Sequence, residues 1–137
     1  MAEQDIEAEG FGPRETRVLD LVLPGATNHY GTLFAGNGLS LLGKAAFLTA
    51  TRYARQTMVL RSSRETEFIA PVRAGELIEL IGRVTRRGNT SVEVEVEMVA
   101  ENQTGGERRT CCTGTFTIVA VDAAGKAARL TGKTTNE

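Results

Sequence analysis

What this sequence has little of narrows it first. Neither sign of charge is in excess: 17 acidic and 16 basic residues leave a formal net charge of −1 over 137 residues. Without a basic surplus there is no electrostatic footprint for a nucleic-acid backbone, so no nucleic-acid partner is expected. No apolar run approaches the roughly 20 residues that cross a bilayer. The first fifteen residues, acidic and glycine-containing, have no positive start followed by an apolar stretch, so they do not read as a secretory leader. No membrane partner is expected, and the chain reads as cytoplasmic. There is one histidine, and the two cysteines, Cys111 and Cys112, are adjacent, which leaves no Cys/His cluster for a metal. No phosphate-cradling glycine motif of the Walker or dinucleotide type occurs, so neither metal nor cofactor is expected. Neighbours on a strand point to opposite faces, and a bond between these two sulfurs would be strained. They read as reduced thiols that fill a strand.

What remains is an ordinary globular chain, 41% hydrophobic and 24% charged. At this length folding buries roughly two-thirds of the unfolded surface, enough for one core. The expected organisation is a loose segment over 1–15, one domain over 16–130 and a loose polar tail over 131–137.

Along the chain, Thr16–Leu23 is β-branched and leucine-rich and stops at Pro24-Gly25. A polar loop, Ala26–Phe34, follows. From Gly36 or Asn37 to about Ala54 the period changes: Leu39, Leu42, Ala46, Ala50 and Tyr53 recur at helical spacing, and Leu41, Ala45, Phe47 and Leu48 widen the stripe. This predicts a helix enclosed by other elements, with Asn37 as its N-cap. Strands are then predicted at Thr57–Leu60 and Thr66–Ile69, around a polar Arg61–Glu65 stretch, and at Glu76–Arg83. Ser91–Ala100 follows, where Val92, Val94, Val96 and Met98 alternate with Glu93, Glu95 and Glu97, and Thr110–Val121 is the last. One helix cannot cover five long strands laid flat. The expected fold class is α+β: a single helix wrapped by a curled antiparallel sheet, with leftover edges paired to another subunit.

The stretch with most chemical content is Asn28–Ala46, NHYGTLFAGNGLSLLGKAA. A polar, glycine-rich loop feeds into the start of the buried helix, where the first N–H groups have no internal partner and the dipole favours negative charge. Small residues there, Ala35 and Gly36, let a ligand approach the backbone, and such an end can hold a developing oxyanion. The same pattern also describes an ordinary loop turned by glycines.

Taken together, N-x-x-G-x-x-F-x-G leading into a helix, then Glu67–Glu76 (EFIAPVRAGE), Arg86–Ser91 (RRGNTS) and Thr117–Gly125 (TIVAVDAAG) occur in the order of the hot-dog-fold acyl-CoA thioesterases. The chain resembles that family from Thr16 to about Leu130. The resemblance implies a homodimer paired edge to edge, a trimer of dimers as hexamer, and an active site at the dimer interface that hydrolyses acyl-CoA to free acid and CoA. Asn28 matches the family's loop asparagine, which faces a helix carboxylate of the other subunit. Gly31, Phe34 and Gly36 match the residues that shape the loop and present N–H groups to the thioester carbonyl, and Ala35-Gly36 stands where the family commonly has a glycine pair, with Ala35 still counted among the substrate-binding candidates. Arg87, Gly88, Thr90 and Ser91 form a basic, hydroxyl-bearing turn suited to CoA phosphates; by chemistry alone it is a solvated hairpin.

The chain also departs from the family. Gly43 stands where the helix carboxylate belongs, Asn37 where an acid often opens the helix, and Arg64 where an acid frequently precedes the strand phenylalanine. Glu65 is the candidate substitute base, with Glu67 on the same face, and both also read as solvated strand glutamates. The alternative function is a non-catalytic acyl-CoA-binding protein that has lost its base at Gly43. A third reading, a hydratase or dehydratase, would rest on His29 alone.

Overall fold

A computed structural model of the chain describes residues 6–8 and 10–132. Strand β1 (Glu15–Leu21) leads through a short 3₁₀ turn (Pro24–Ala26) into helix α1 (Ala35–Ala54). Strands β2 (Met58–Phe68), β3 (Leu77–Arg87), β4 (Ser91–Glu101) and β5 (Arg108–Ala120) follow. They form one antiparallel sheet in the order β1-β3-β4-β5-β2, so both edges are strands that flank the helix in sequence. The sheet closes on α1, whose Leu42, Ala46, Ala50 and Tyr53 are fully buried against Val84, Val92, Val94, Met98, Phe116 and Ile118.

The alternation expected in β4 is present: Val92, Val94, Val96 and Met98 face the core, and Glu93, Glu95 and Glu97 face away. Helix and sheet approach each other tightly at Gly82 of β3. A Cβ there would lie 2.0 Å from Thr49 Oγ1, which itself donates a hydrogen bond to the Ala45 carbonyl at 2.7 Å. Overpacking of this kind typically costs 1–3 kcal/mol. Gly82→Ala is therefore expected to lower the unfolding midpoint in urea by an amount worth about 2 kcal/mol, checked by equilibrium denaturation.

Three expectations differ from what is found. The segment read as two strands around Arg61–Glu65 is the single strand β2. It carries irregularities between Leu60 and Ser62 and between Arg64 and Glu67, and Glu65 adopts φ +54°. The helix begins at Ala35 rather than at Gly36 or Asn37, and its N-cap is Phe34, without a side-chain cap; Asn37 instead donates from Nδ2 to the Ala26 carbonyl at 2.9 Å. The part of 1–15 next to β1 is not loose. Gly12 N–H bonds the Tyr53 carbonyl at 2.8 Å, and the Phe11 ring stacks on Tyr53 at 4.9 Å. Residues 1–5, 9 and 133–137 lie outside the described residues.

Edge strand β2 is exposed over nearly its whole length, with Val59 at 44%, Leu60 at 49% and Phe68 at 54% exposure. A long strand with an open hydrogen-bonding edge and apolar side chains is a template for pairing with another chain.

Candidate active site

The loop before α1 is built around Asn28. Its Oδ1 accepts hydrogen bonds from Tyr30 N–H (2.9 Å), Thr32 N–H (3.3 Å) and Thr32 Oγ1 (3.2 Å). Its backbone N–H bonds the Thr32 carbonyl and its carbonyl accepts from Gly31 N–H. Gly31 has φ +78° with open space around its Cβ direction, so backbone conformation, not crowding, calls for glycine there. With Oδ1 spent on the loop, the half-exposed Nδ2 has no hydrogen-bond partner among the described residues and can donate to a ligand.

The turn is fixed from outside by the 71–76 segment. Leu33 N–H bonds the Val72 carbonyl (2.7 Å) and Ala74 N–H bonds the Gly31 carbonyl (3.1 Å). That segment is clamped in turn by Glu76, which is 8% exposed. Its carboxylate accepts Arg73 N–H at 2.7 Å and both arms of the Arg109 guanidinium at 2.7 Å, while Arg109 also reaches the Pro71 carbonyl. The Arg109 guanidinium holds the Glu76 carboxyl below its usual range, against the opposing effect of burial.

At the start of α1, Phe34 N–H bonds the Ala26 carbonyl and Gly38 N–H bonds the Phe34 carbonyl, whereas the N–H groups of Ala35, Gly36 and Asn37 have no hydrogen-bond partner among the described residues. Beside them opens a small apolar crevice of about 40 Å³, bordered by the exposed Phe34, Ala35 and Phe68, with the buried Gly38, Met98 and Cys112 also in its lining. Bare N–H donors, the free Asn28 amide and an adjoining apolar crevice suit a polarised carbonyl that carries a hydrocarbon tail.

The other candidates fall elsewhere. Gly43 sits mid-helix, facing β2 and β5: a Cβ on it would meet Leu60 Cδ2 at 3.8 Å and Phe116 Cε2 at 3.9 Å, ordinary contacts with room for a side chain. Glu65 and Glu67 share a face, as alternation implied, but it is the face of the sheet turned away from the helix. There they line a concavity of about 500 Å³ with Glu95, Glu97, Arg17 and Arg83. Glu65 is paired with Arg64 at 3.1 Å. This hollow is the larger one, yet its carboxylates would repel a phosphate-bearing ligand, so the smaller crevice has the better chemistry. His29 is exposed and packs on Tyr30 at 4.0 Å between ring centres.

The basic turn differs from its reading as a solvated hairpin. Arg87 is 8% exposed, its guanidinium lies 4.1 Å over the Phe11 ring, and its Nη1 is buried without a partner. Gly88 N–H closes the turn on the Ser91 carbonyl at 2.8 Å, and Ala120 N–H bonds that of Thr90. Through Phe11 the turn stands at the Tyr53 end of α1. At 1.5 Å per residue, that is about 27 Å from Ala35. One copy of the chain therefore does not bring Asn28 and the Arg87–Ser91 turn together.

Cys111 and Cys112 sit at an irregularity of the β4–β5 ladder. Met98 pairs with Cys112 and Val99 with Thr110, leaving Cys111 as the extra residue of a bulge, and both side chains are buried. Burial pushes both thiols up, Cys112 to about 11, so neither is a thiolate nucleophile at neutral pH. Glu76, Arg109 and Gly38 were not singled out from the sequence. Glu76 had a signal in the Gly75-Glu76 turn, but Arg109 reads only as half of a solvated basic pair.

One helix held by a five-stranded antiparallel sheet in this order is the hot-dog fold. The family model described as the thioesterase superfamily matches residues 30–107, more than half of the chain, and the chain belongs to that family. An uncharacterised acyl-CoA thioester hydrolase of Bacillus subtilis is 34% identical over 105 residues, 77% of this chain and 61% of that protein. Another of Zymomonas mobilis is 32% identical over 108 residues, 79% of this chain and 72% of its own length. The chain thus spans less than two-thirds of the Bacillus relative. Among solved structures, an apo-hexameric acyl-CoA thioesterase superposes with a TM-score of 0.82 at 38% identity, covering 85% of this chain and 75% of that one. The acyl-CoA hydrolase of Staphylococcus aureus in complex with butyryl coenzyme A, coenzyme A and coenzyme A disulfide superposes at 0.80 with 25% identity, over 88% and 74%. Among the described residues no helix is long and apolar enough to cross a membrane.

Proposed function

We propose that this chain hydrolyses acyl-CoA thioesters, in the cytoplasm, at sites formed between two copies. The observation that carries this is the junction at Ala35–Asn37: three bare N–H groups beside the free Asn28 amide, at the mouth of an apolar crevice. The thioester carbonyl oxygen accepts from the helix N–H groups, which favours the negative charge that develops as water adds to carbon. The C–S bond then breaks; the thiolate takes the proton given up by water and leaves as CoA. Asn28 orients the water or the carbonyl.

Edge strand β2 is the pairing surface that this reading needs. An antiparallel partner would carry its Arg87–Ser91 turn toward the first copy's helix N-terminus, where Gly88, Thr90 and Ser91 can meet phosphate and the Arg87 charge lies beneath them. A trimer of such dimers is the assembly expected in solution. Glu65 enters catalysis only if pairing across β2 brings it to the partner's loop.

A second reading is favoured by one observation. The position of the missing carboxylate faces Leu60 and Phe116, so the site is apolar where a base would act. Such a protein would bind acyl-CoA and release it unchanged.

The deciding experiment incubates the purified protein with acyl-CoAs from acetyl to palmitoyl and follows thiol release, with Cys111 and Cys112 titrated beforehand as background. Release that saturates with substrate and scales with protein is the expected result. Saturable binding without release selects the non-catalytic reading, and absence of both defeats the proposal.

A further inference from the structure

Resting on that reading, we infer that the crevice beside the helix N-terminus is the acyl pocket and that Gly38 and Met98 set its length limit, so that this chain selects short acyl groups. The crevice measures about 40 Å³. A single water-sized group needs roughly 10–15 Å³ on the same measure, so the space accepts about three such groups, a tail of two to four carbons. Its lining is apolar, and Phe34 and Ala35, the residues that open α1, also stand at its mouth. A carbonyl bound at the bare N–H groups therefore points its tail inward, and the bulky CoA half stays outside.

Two residues limit the space. Met98 is fully buried, belongs to the core cluster and lines the crevice from β4, with Cys112 opposite it in register on β5. Gly38 is the only buried residue in the first turns of the helix, and it borders the crevice with a bare backbone. A Cβ there would lie 3.5 Å from Leu33 Cδ2 and 3.5 Å from Phe68 Cε1. These are ordinary contacts, so alanine fits without displacing anything and takes its volume from the pocket. Alanine is also the better helix former, so loss of fold does not confound the substitution. Met98 is unbranched and flexible, and its removal opens the inner end of the crevice toward the core.

The test measures binding of acetyl-, butyryl-, hexanoyl- and octanoyl-CoA to the intact oligomer by calorimetry, with hydrolysis followed alongside. For the unaltered protein, affinity is expected to hold from acetyl to butyryl and to fall at least tenfold by octanoyl. Gly38→Ala should move the cutoff one length shorter, weakening butyryl-CoA at least tenfold more than acetyl-CoA, with the melting temperature unchanged or higher. Met98→Ala should move it longer; should that variant not fold, Gly38→Ala and the unaltered protein still decide the matter. Equal binding of butyryl and octanoyl chains, or superimposable profiles for Gly38→Ala and the parent, overturns this inference alone. Failure of every acyl-CoA to bind removes the parent reading as well.

Discussion

With Gly43 replaced by aspartate and Leu60 by threonine in one chain, hydrolysis of a short acyl-CoA is expected to rise on the order of 10²–10⁴-fold, the usual contribution of a general base. Gly43→Asp alone is expected to gain much less. The reason lies in what position 43 faces. A side chain there emerges 3.8 Å from Leu60 Cδ2 and 3.9 Å from Phe116 Cε2. A carboxyl surrounded by these groups loses hydration without gaining a donor, so its pKa rises and a fraction stays protonated near neutrality. Threonine at 60 supplies a hydroxyl on the strand facing the helix and restores a polar partner. Thiol release measured against pH separates the two variants: the single substitution should gain activity only toward alkaline pH, the double one already near neutrality. Equal rates in parent and double variant, both well folded and able to bind, would show that more than the carboxylate and its hydroxyl partner is missing.

Arg109→Ala is expected to destabilise the fold by about 2–3 kcal/mol and to loosen the Asn28 loop. It leaves the nearly buried Glu76 carboxylate with one backbone donor where it had three contacts. The Arg109 side chain is 39% exposed, which keeps the cost below that of a fully buried pair. The same clamp predicts a pH dependence. Because Arg109 holds the folded-state pKa of Glu76 below its ordinary value of 4.5, folding gains stability above that value and loses it as pH falls through the lowered one. The melting temperature of the parent should therefore drop from about pH 4.5 downward, and the slope for Arg109→Ala should be shallower. Parallel slopes would assign the acid sensitivity to other carboxylates. Arg109→Lys, which keeps the charge but not the two-armed geometry, should recover part of the loss.

How far the sequence could be read depended on whether a residue's environment was local. Strand β4 was legible because one face is dry and the other wet, which imposes a period of two on Ser91–Glu101. Strand β2 was read as two pieces because an open edge buries neither face, and its bulges break whatever alternation remained. The helix was legible from its buried stripe, but its first residue was not. Asn37 is a good capping type, yet the Ala26 carbonyl, eleven residues earlier, takes its amide. The adjacent cysteines were expected in a regular strand, and the register shift against β4 that leaves Cys111 unpaired had no signal in the chain. At the site, the chain itself offered the Asn28–Gly36 junction as a candidate, and only the resemblance marked Gly43 as a departure. The Glu76–Arg109 clamp joins residues 33 positions apart and has no local pattern.

The strand order has a consequence for how the chain comes to be folded. Helix α1 is complete in sequence at Ala54, but strands β3, β4 and β5, which wrap it, lie wholly beyond that point, and β2 finds its neighbour only in Arg108–Ala120. An emerging chain therefore carries an apolar helix with most of its cover still unmade. Its first strand must wait for residues 77–83 before it has anything to pair with. Contacts so distant along the chain close late and place folding toward the slower, millisecond-to-second end of the range for small domains. During synthesis the helix spends that interval as exposed greasy surface, the condition in which holding chaperones bind.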